Sequence, residues 1–140
     1  MGKELAVQGC TFKASISPGT ISASCSTSTP ASTAVLVNSK GVYFDKITVI
    51  VPSGTSVKLV SPPPGATSPS GTLLAAGTID ISATASNVLD GSGKKAVLKG
   101  DNGSKSLTFT FPAPEGSTTT FAVNVKVEVD NPGQTDVIAL

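Results

Sequence analysis

The chain contains no histidine, no tryptophan and no arginine. Without an imidazole, nucleophilic catalysis of the Ser-His-Asp or Cys-His kind has no base, and a zinc site would need both cysteines plus carboxylates or a partner's ligands. All ten basic residues are lysines and the formal net charge is +1, so the basic patch and planar guanidinium forks of nucleic-acid recognition are missing. Aromatics make up 4% of the residues, too few for stacking platforms for bases or sugars. The nine acids are mostly isolated and flank turns, which predicts solvated surface roles and leaves paired-carboxylate glycosidase chemistry without its pair. Cys10 and Cys25 stand too far apart for a metal motif and are expected to be reduced, half-buried thiols. Gly91-Ser92-Gly93-Lys94-Lys95 lacks the spacing of a phosphate loop and reads as a hairpin turn. These absences predict a protein that is not an enzyme and has no cofactor, no metal, no nucleic-acid partner and no small-molecule substrate.

Long apolar runs are also lacking. None approaches the roughly 20 residues of a membrane-spanning helix, and Met1-Gly2-Lys3-Glu4-Leu5 has no apolar signal segment. Ala6 stands where an acylation signal needs Ser or Thr. Synthesis in the cytoplasm without a signal peptide is the expectation.

What the chain has is Val, Ala, Ser and Thr in quantity, with 14 glycines and 10 prolines in 140 residues. That mixture favours pleated strands and frequent turns over long helices, and the length suits one domain spanning residues 1–140. Ile21, Ala23 and Cys25 alternate with serines, and Ile79, Ile81, Ala83 and Ala85 alternate with polar residues, as half-exposed strands do. Ile47-Thr48-Val49-Ile50-Val51 is dense in β-branched residues and reads as a central strand. The cleanest alternation is C-terminal and predicts a core containing Phe109, Phe111, Phe121, Val123, Val125 and Val127. A Pro/Gly/Ser-rich loop is expected over 61–71, a turn-rich link over 87–93, a hairpin turn at Asp101-Asn102-Gly103 and a short last strand over 135–140. The whole is read as an all-β, compact domain of about ten short strands.

One short pattern occurs twice: Ser39-Lys40-Gly41-Val42-Tyr43-Phe44-Asp45, and Lys94-Lys95-Ala96-Val97-Leu98-Lys99-Gly100-Asp101. Each copy is a turn, a lysine, a small residue, an apolar pair and then an aspartate. With Ala6-Val7-Gln8-Gly9-Cys10, Ser17-Pro18-Gly19-Thr20-Ile21 and Val35-Leu36-Val37-Asn38 added, the chain resembles the PAAR-like proteins that tip the spikes of contractile injection systems and phage tails. The resemblance implies a pointed β structure whose broad base sits on a trimeric β-helical spike, one copy per trimer, in a phage-tail-like particle or virion. Contact with a target membrane during puncture goes with that role. Lys40, Val42, Tyr43, Lys95 and Val97 become the interface candidates. The family's apical metal, held through histidines and a cysteine, has no histidines to bind it here, so the resemblance implies an apex held by packing and backbone hydrogen bonds. Residues 104–140 match nothing in that pattern and read as an added β-hairpin layer. An immunoglobulin-like β-sandwich, serving as a decoration or adhesion module, fits the same strand evidence; copy number separates the two, one per trimer against one per lattice subunit.

Overall fold

The computed structural model describes residues 3–85 and 92–139. Among them the chain forms thirteen strands and one 3-10 turn. In chain order the strands are β1 (Lys3–Glu4), β2 (Thr11–Ser15), β3 (Thr20–Ser22), β4 (Ser26–Thr27), β5 (Leu36–Val37), β6 (Lys40–Gly41) and β7 (Lys46–Val51). There follow β8 (Ser56–Lys58), β9 (Ser70–Leu73), β10 (Gly77–Ser82), β11 (Asn102–Pro112), β12 (Thr118–Asn131) and β13 (Ile138–Ala139).

An antiparallel six-stranded sheet runs β2-β12-β11-β9-β8-β3, and a three-stranded sheet runs β10-β7-β4. The two edge strands of the larger sheet are consecutive in the chain, joined by a short turn with a cis Ser17–Pro18 bond, so the sheet curls back almost onto itself. Inward residues at period two fill the space between the sheets: Phe109 and Phe111 of β11, Val123, Val125, Val127 and Val129 of β12, Ile47, Val49 and Val51 of β7, and Ile79 and Ile81 of β10. Fully burying a side chain of this size stabilises the fold by about 1.5–3 kcal/mol. β7 is the middle strand of its sheet, as its β-branched run predicts. Sheets of six and three strands in this order do not reproduce the immunoglobulin arrangement.

Several expectations are corrected. Phe121 is 40% exposed although it shares the parity of the buried valines, and it lines a groove beside Val60 and Pro62 and not the core. The Pro-rich loop ends at Pro69, and Ser70 and Gly71 already belong to β9. Gly71 acts there as a packing residue, since a Cβ would come within 2.6 Å of the Phe111 ring. The chain also turns one step before Asn102: the Asp101 N–H donates to the Leu98 carbonyl at 3.0 Å, and Asn102 and Gly103 pair with Glu128 and Val127. Asp101 is buried and not solvated, because its carboxylate accepts from the Leu98 and Thr84 N–H groups and from the Thr84 hydroxyl. β3 stops at Ser22 because the chain then crosses to the smaller sheet, where β4 pairs with β7. Five of the thirteen strands have only two residues, too short to show any period. Most of the expected link over 87–93 and the end of the last strand at Leu140 lie outside the described residues.

Candidate functional site

The two repeat copies come together, and a third segment joins them. Residues 4–8, 41–45 and 95–99 form a ring in which each middle residue bonds to the next: Ala6 N–H donates to the Val97 carbonyl at 2.8 Å, Val97 N–H to Tyr43 at 2.9 Å, and Tyr43 N–H to Ala6 at 3.1 Å. A second set of bonds obeys the same rotation, from Gln8 N–H to Gly41 at 2.8 Å, Asp45 N–H to Lys95 at 2.7 Å and Lys99 N–H to Glu4 at 2.9 Å. The bridges Leu5–Leu98, Val7–Val42 and Phe44–Ala96 complete the pattern, each joining the first apolar residue of one segment to the last of another. One chain thus builds a layer with pseudo-threefold symmetry out of three unlike sequences.

The layer shows why each segment carries three consecutive apolar residues. Side chains alternate across an extended backbone, so Ala6, Tyr43 and Val97 point into the main core. Leu5, Val7, Val42, Ala96 and Leu98 point the other way, into a second core closed by Val37 and Ala85, with Phe44 packed against it. Such a layer is buried on both faces and needs an unbroken apolar run.

The ring also corrects the alignment of the copies. Tyr43 corresponds to Val97, Val42 to Ala96 and Lys40 to Lys94, one residue away from the match the sequence suggests. Lys3 stands at the equivalent place before the third segment, Leu5-Ala6-Val7. Two of the three exits are alike: Cys10 N–H bonds to the Val7 carbonyl after Gly9, and Asp101 N–H to the Leu98 carbonyl after Gly100, with both glycines at positive φ. The middle exit is tighter, from Lys46 N–H to Phe44, with Asp45 taking the positive φ. Of the interface candidates, Val42, Tyr43 and Val97 are buried and act as scaffold, while Lys40 and Lys95 are exposed.

Outer strands flank the ring. β13 pairs with β1, placing Ile138 opposite Glu4, and β5 pairs with β6, placing Leu36 opposite Gly41. Glu4 and Gly41 are equivalent in the ring, so Leu36 and Ile138 are equivalent outside it, and they are similarly exposed at 53% and 50%. The stretch next to Lys95 at the third corner lies partly outside the described residues. Gln134 clamps the first corner: its Nε2 donates to the Leu5 and Val137 carbonyls, both at 2.9 Å, and its Oε1 accepts from the Asp136 and Val137 N–H groups. Asn38 Nδ2 donates to Asp136 Oδ2 at 2.7 Å and ties the second corner to the first. Sequence reasoning overlooked Leu36, Ile138 and Gln134. The matching signal was Lys3-Glu4-Leu5-Ala6-Val7, a lysine and a spacer before three apolar residues.

Beside the ring, Cys10, Cys25 and Tyr43 line a cavity of about 440 Å³. Burial pushes the Cys10 thiol up to about 11 and raises Cys25 as well; Tyr43 is raised first by burial and then by the neighbouring Cys10. Both thiols are therefore protonated near neutral pH and are poor nucleophiles and metal ligands. No group of three or more potential metal ligands occurs among the described residues.

No protein-family model, curated protein or solved structure matches the chain. Its own geometry is therefore the basis for any functional reading.

Proposed function

We propose that the protein is a non-enzymatic tip that caps a trimeric β spike, one copy per trimer, in a phage-tail-like injection particle. The observation that carries this reading is the ring: a single chain repeats one backbone arrangement three times about an axis. A trimer presents three identical surfaces about its axis, and one asymmetric chain can meet all three alike only if it carries a threefold of its own. The outer strands at the ring supply a surface of the right kind, with Leu36 and Ile138 exposed at equivalent corners and Val137 beside one of them. Equivalent apolar residues on a rigid layer suit packing against a β surface, where apolar anchors contribute more to affinity than rim charges do. The resemblance to PAAR-like proteins through residues 6–10, 17–21, 35–42 and 95–101 supports the same role.

Mixing the protein with the candidate spike trimer and measuring mass by light scattering tests the reading. One copy per trimer is expected. Three copies per trimer, or no complex, would replace it with a module repeated once per lattice subunit.

A further inference from the structure

Superposed about the axis, the three ring segments share almost no sequence. From three residues before the middle residue to three after it, one position alone holds the same residue in all three: Lys3, Lys40 and Lys94. Lysine makes up only 10 of the 140 residues, so composition does not account for the match. Folding does not account for it either. The layer needs apolar residues at its three central places and draws its hydrogen bonds from the backbone, whereas all three lysines are exposed. Nor do the first two guard an open strand edge, because β1 and β6 pair with β13 and β5 on one side and bond to the ring on the other.

The lysines also share a direction. Side chains alternate along an extended backbone, so counting back from Leu5, Val42 and Ala96, which enter the second core, puts Lys3, Lys40 and Lys94 on the side of the ring away from the main core. The ammonium groups of the first two follow the same rotation as the backbone. Lys3 Nζ lies 3.8 Å from where a Cβ on Gly100 would stand, at the exit turn of the neighbouring segment. Lys40 Nζ reaches the Gly133 carbonyl at 3.5 Å, and a Cβ on Gly133 would touch Val7 and the Cys10 nitrogen, the matching exit turn for that corner.

We propose that Lys3, Lys40 and Lys94 are a threefold recognition set, each taking one carboxylate from one chain of the spike trimer. This rests on the tip reading and adds to it the chemistry of the partner: the end of the trimer carries an Asp or Glu at one position, presented three times. A lysine ammonium is a compact cation with three donors, and the complement of three equivalent cations is three equivalent anions. Glu4 adjoins Lys3, and Asp136 bonds to Asn38 beside the second corner, so the set has little reach beyond contact distance. Exposed pairs of this kind add little affinity and instead fix register. The apolar corners hold the tip, and the lysines select the rotation at which it sits. Lys95 is exposed as well, but Glu4 and Gly41 stand at its equivalent places, and it takes no part.

The test titrates the full-length protein against the candidate spike trimer. Lys3→Met, Lys40→Met and Lys94→Met keep the unbranched stem and lose the charge; each should weaken binding by a similar factor of about three with the melting temperature unchanged. Lys3→Arg, Lys40→Arg and Lys94→Arg should bind like the native protein, as should Lys95→Met and Lys105→Met, which have no threefold counterparts. Amidating the trimer's carboxylates with carbodiimide and glycinamide, its mass checked afterwards, should weaken binding of the native protein and leave that of the triple Met variant as it was. Unequal losses at the three places, an equal loss in Lys95→Met, lowered melting temperatures in the Met variants, or amidation that weakens the native protein and the triple variant alike overturns the proposal and leaves the tip assignment standing. A native protein that does not bind the trimer at all overturns both.

Discussion

At the scale of single residues, parity along a strand does not determine burial, and β12 shows why. Val125 is fully buried between the sheets, whereas Phe121 on the same face is 40% exposed and Asn124 points outward. Val125→Ala should cost about 1–3 kcal/mol through lost transfer energy and the cavity left behind. Phe121→Ala should cost less than a core aromatic does, and Asn124→Ala close to nothing. Urea unfolding of the three variants checks the order, and a silent Val125→Ala would contradict the core assignment.

The thiol at the edge of the ring gives a pH signature. Cys10 is raised from about 9 in the unfolded chain to about 11 in the folded protein, with burial the main cause. Its neutral form is favoured by folding, so its contribution is complete below the unfolded value and is lost as pH rises through the folded one. Cys25 and Tyr43 are shifted the same way and add to the slope. The melting temperature should therefore fall between pH 9 and 11 more steeply in the native protein than in Cys10→Ser. Equal slopes would show that the Cys10 thiol is not desolvated.

At the scale of elements, the three ring segments are each too short to be stable alone and gain their order from one another. Each segment bonds to both of the others, so opening one segment removes a neighbour from each of the remaining two. The amides of Ala6, Tyr43 and Val97 should therefore exchange as one cooperative unit with similar protection, even though they lie far apart in sequence. Native-state hydrogen exchange that separates them into fast and slow members would argue against a single layer.

Elements were legible in the sequence to the extent that they buried one face. β7, β10, β11 and β12 alternate at period two and stand where the pattern puts them. The ring segments are buried on both faces, so they carry no alternation, and two of them were visible only as a lysine followed by apolar residues. The third, at Leu5-Ala6-Val7, was hidden because Glu4 stands where the first copy has Gly41, and Gln8 where it has Asp45. The off-by-one match between copies has the same origin: in an unbroken apolar run nothing marks which residue is the middle one. Asp101 was misjudged for a different reason, since its partner Thr84 is brought to it by tertiary pairing.

At the scale of the whole molecule, the chain leaves the ring three times and each excursion contributes to the body: β2 to β4 after the first segment, β7 to β10 after the second, and β11 with β12 after the third. The body therefore joins all three corners of the ring, and β5 and β13 flank the ring among the described residues. If the ring meets a trimer, the pseudo-threefold makes a quantitative demand. Leu36 and Ile138, equivalent in place and similar in exposure, should contribute alike to binding. Leu36→Lys and Ile138→Lys should each weaken the complex by a comparable factor, on the order of ten-fold for loss of one apolar anchor. The double substitution measures the coupling between the two corners, which the Asn38–Asp136 hydrogen bond joins. The charges at these corners are of both signs, Lys3 and Lys40 with Glu4 and Asp136, so their long-range fields largely cancel and raising the salt concentration should change the affinity little in comparison. Titration of each variant against the spike trimer measures all three effects. Strong salt dependence, or a loss confined to one corner, would mean that the partner does not read the threefold and that the ring serves only to fold the chain.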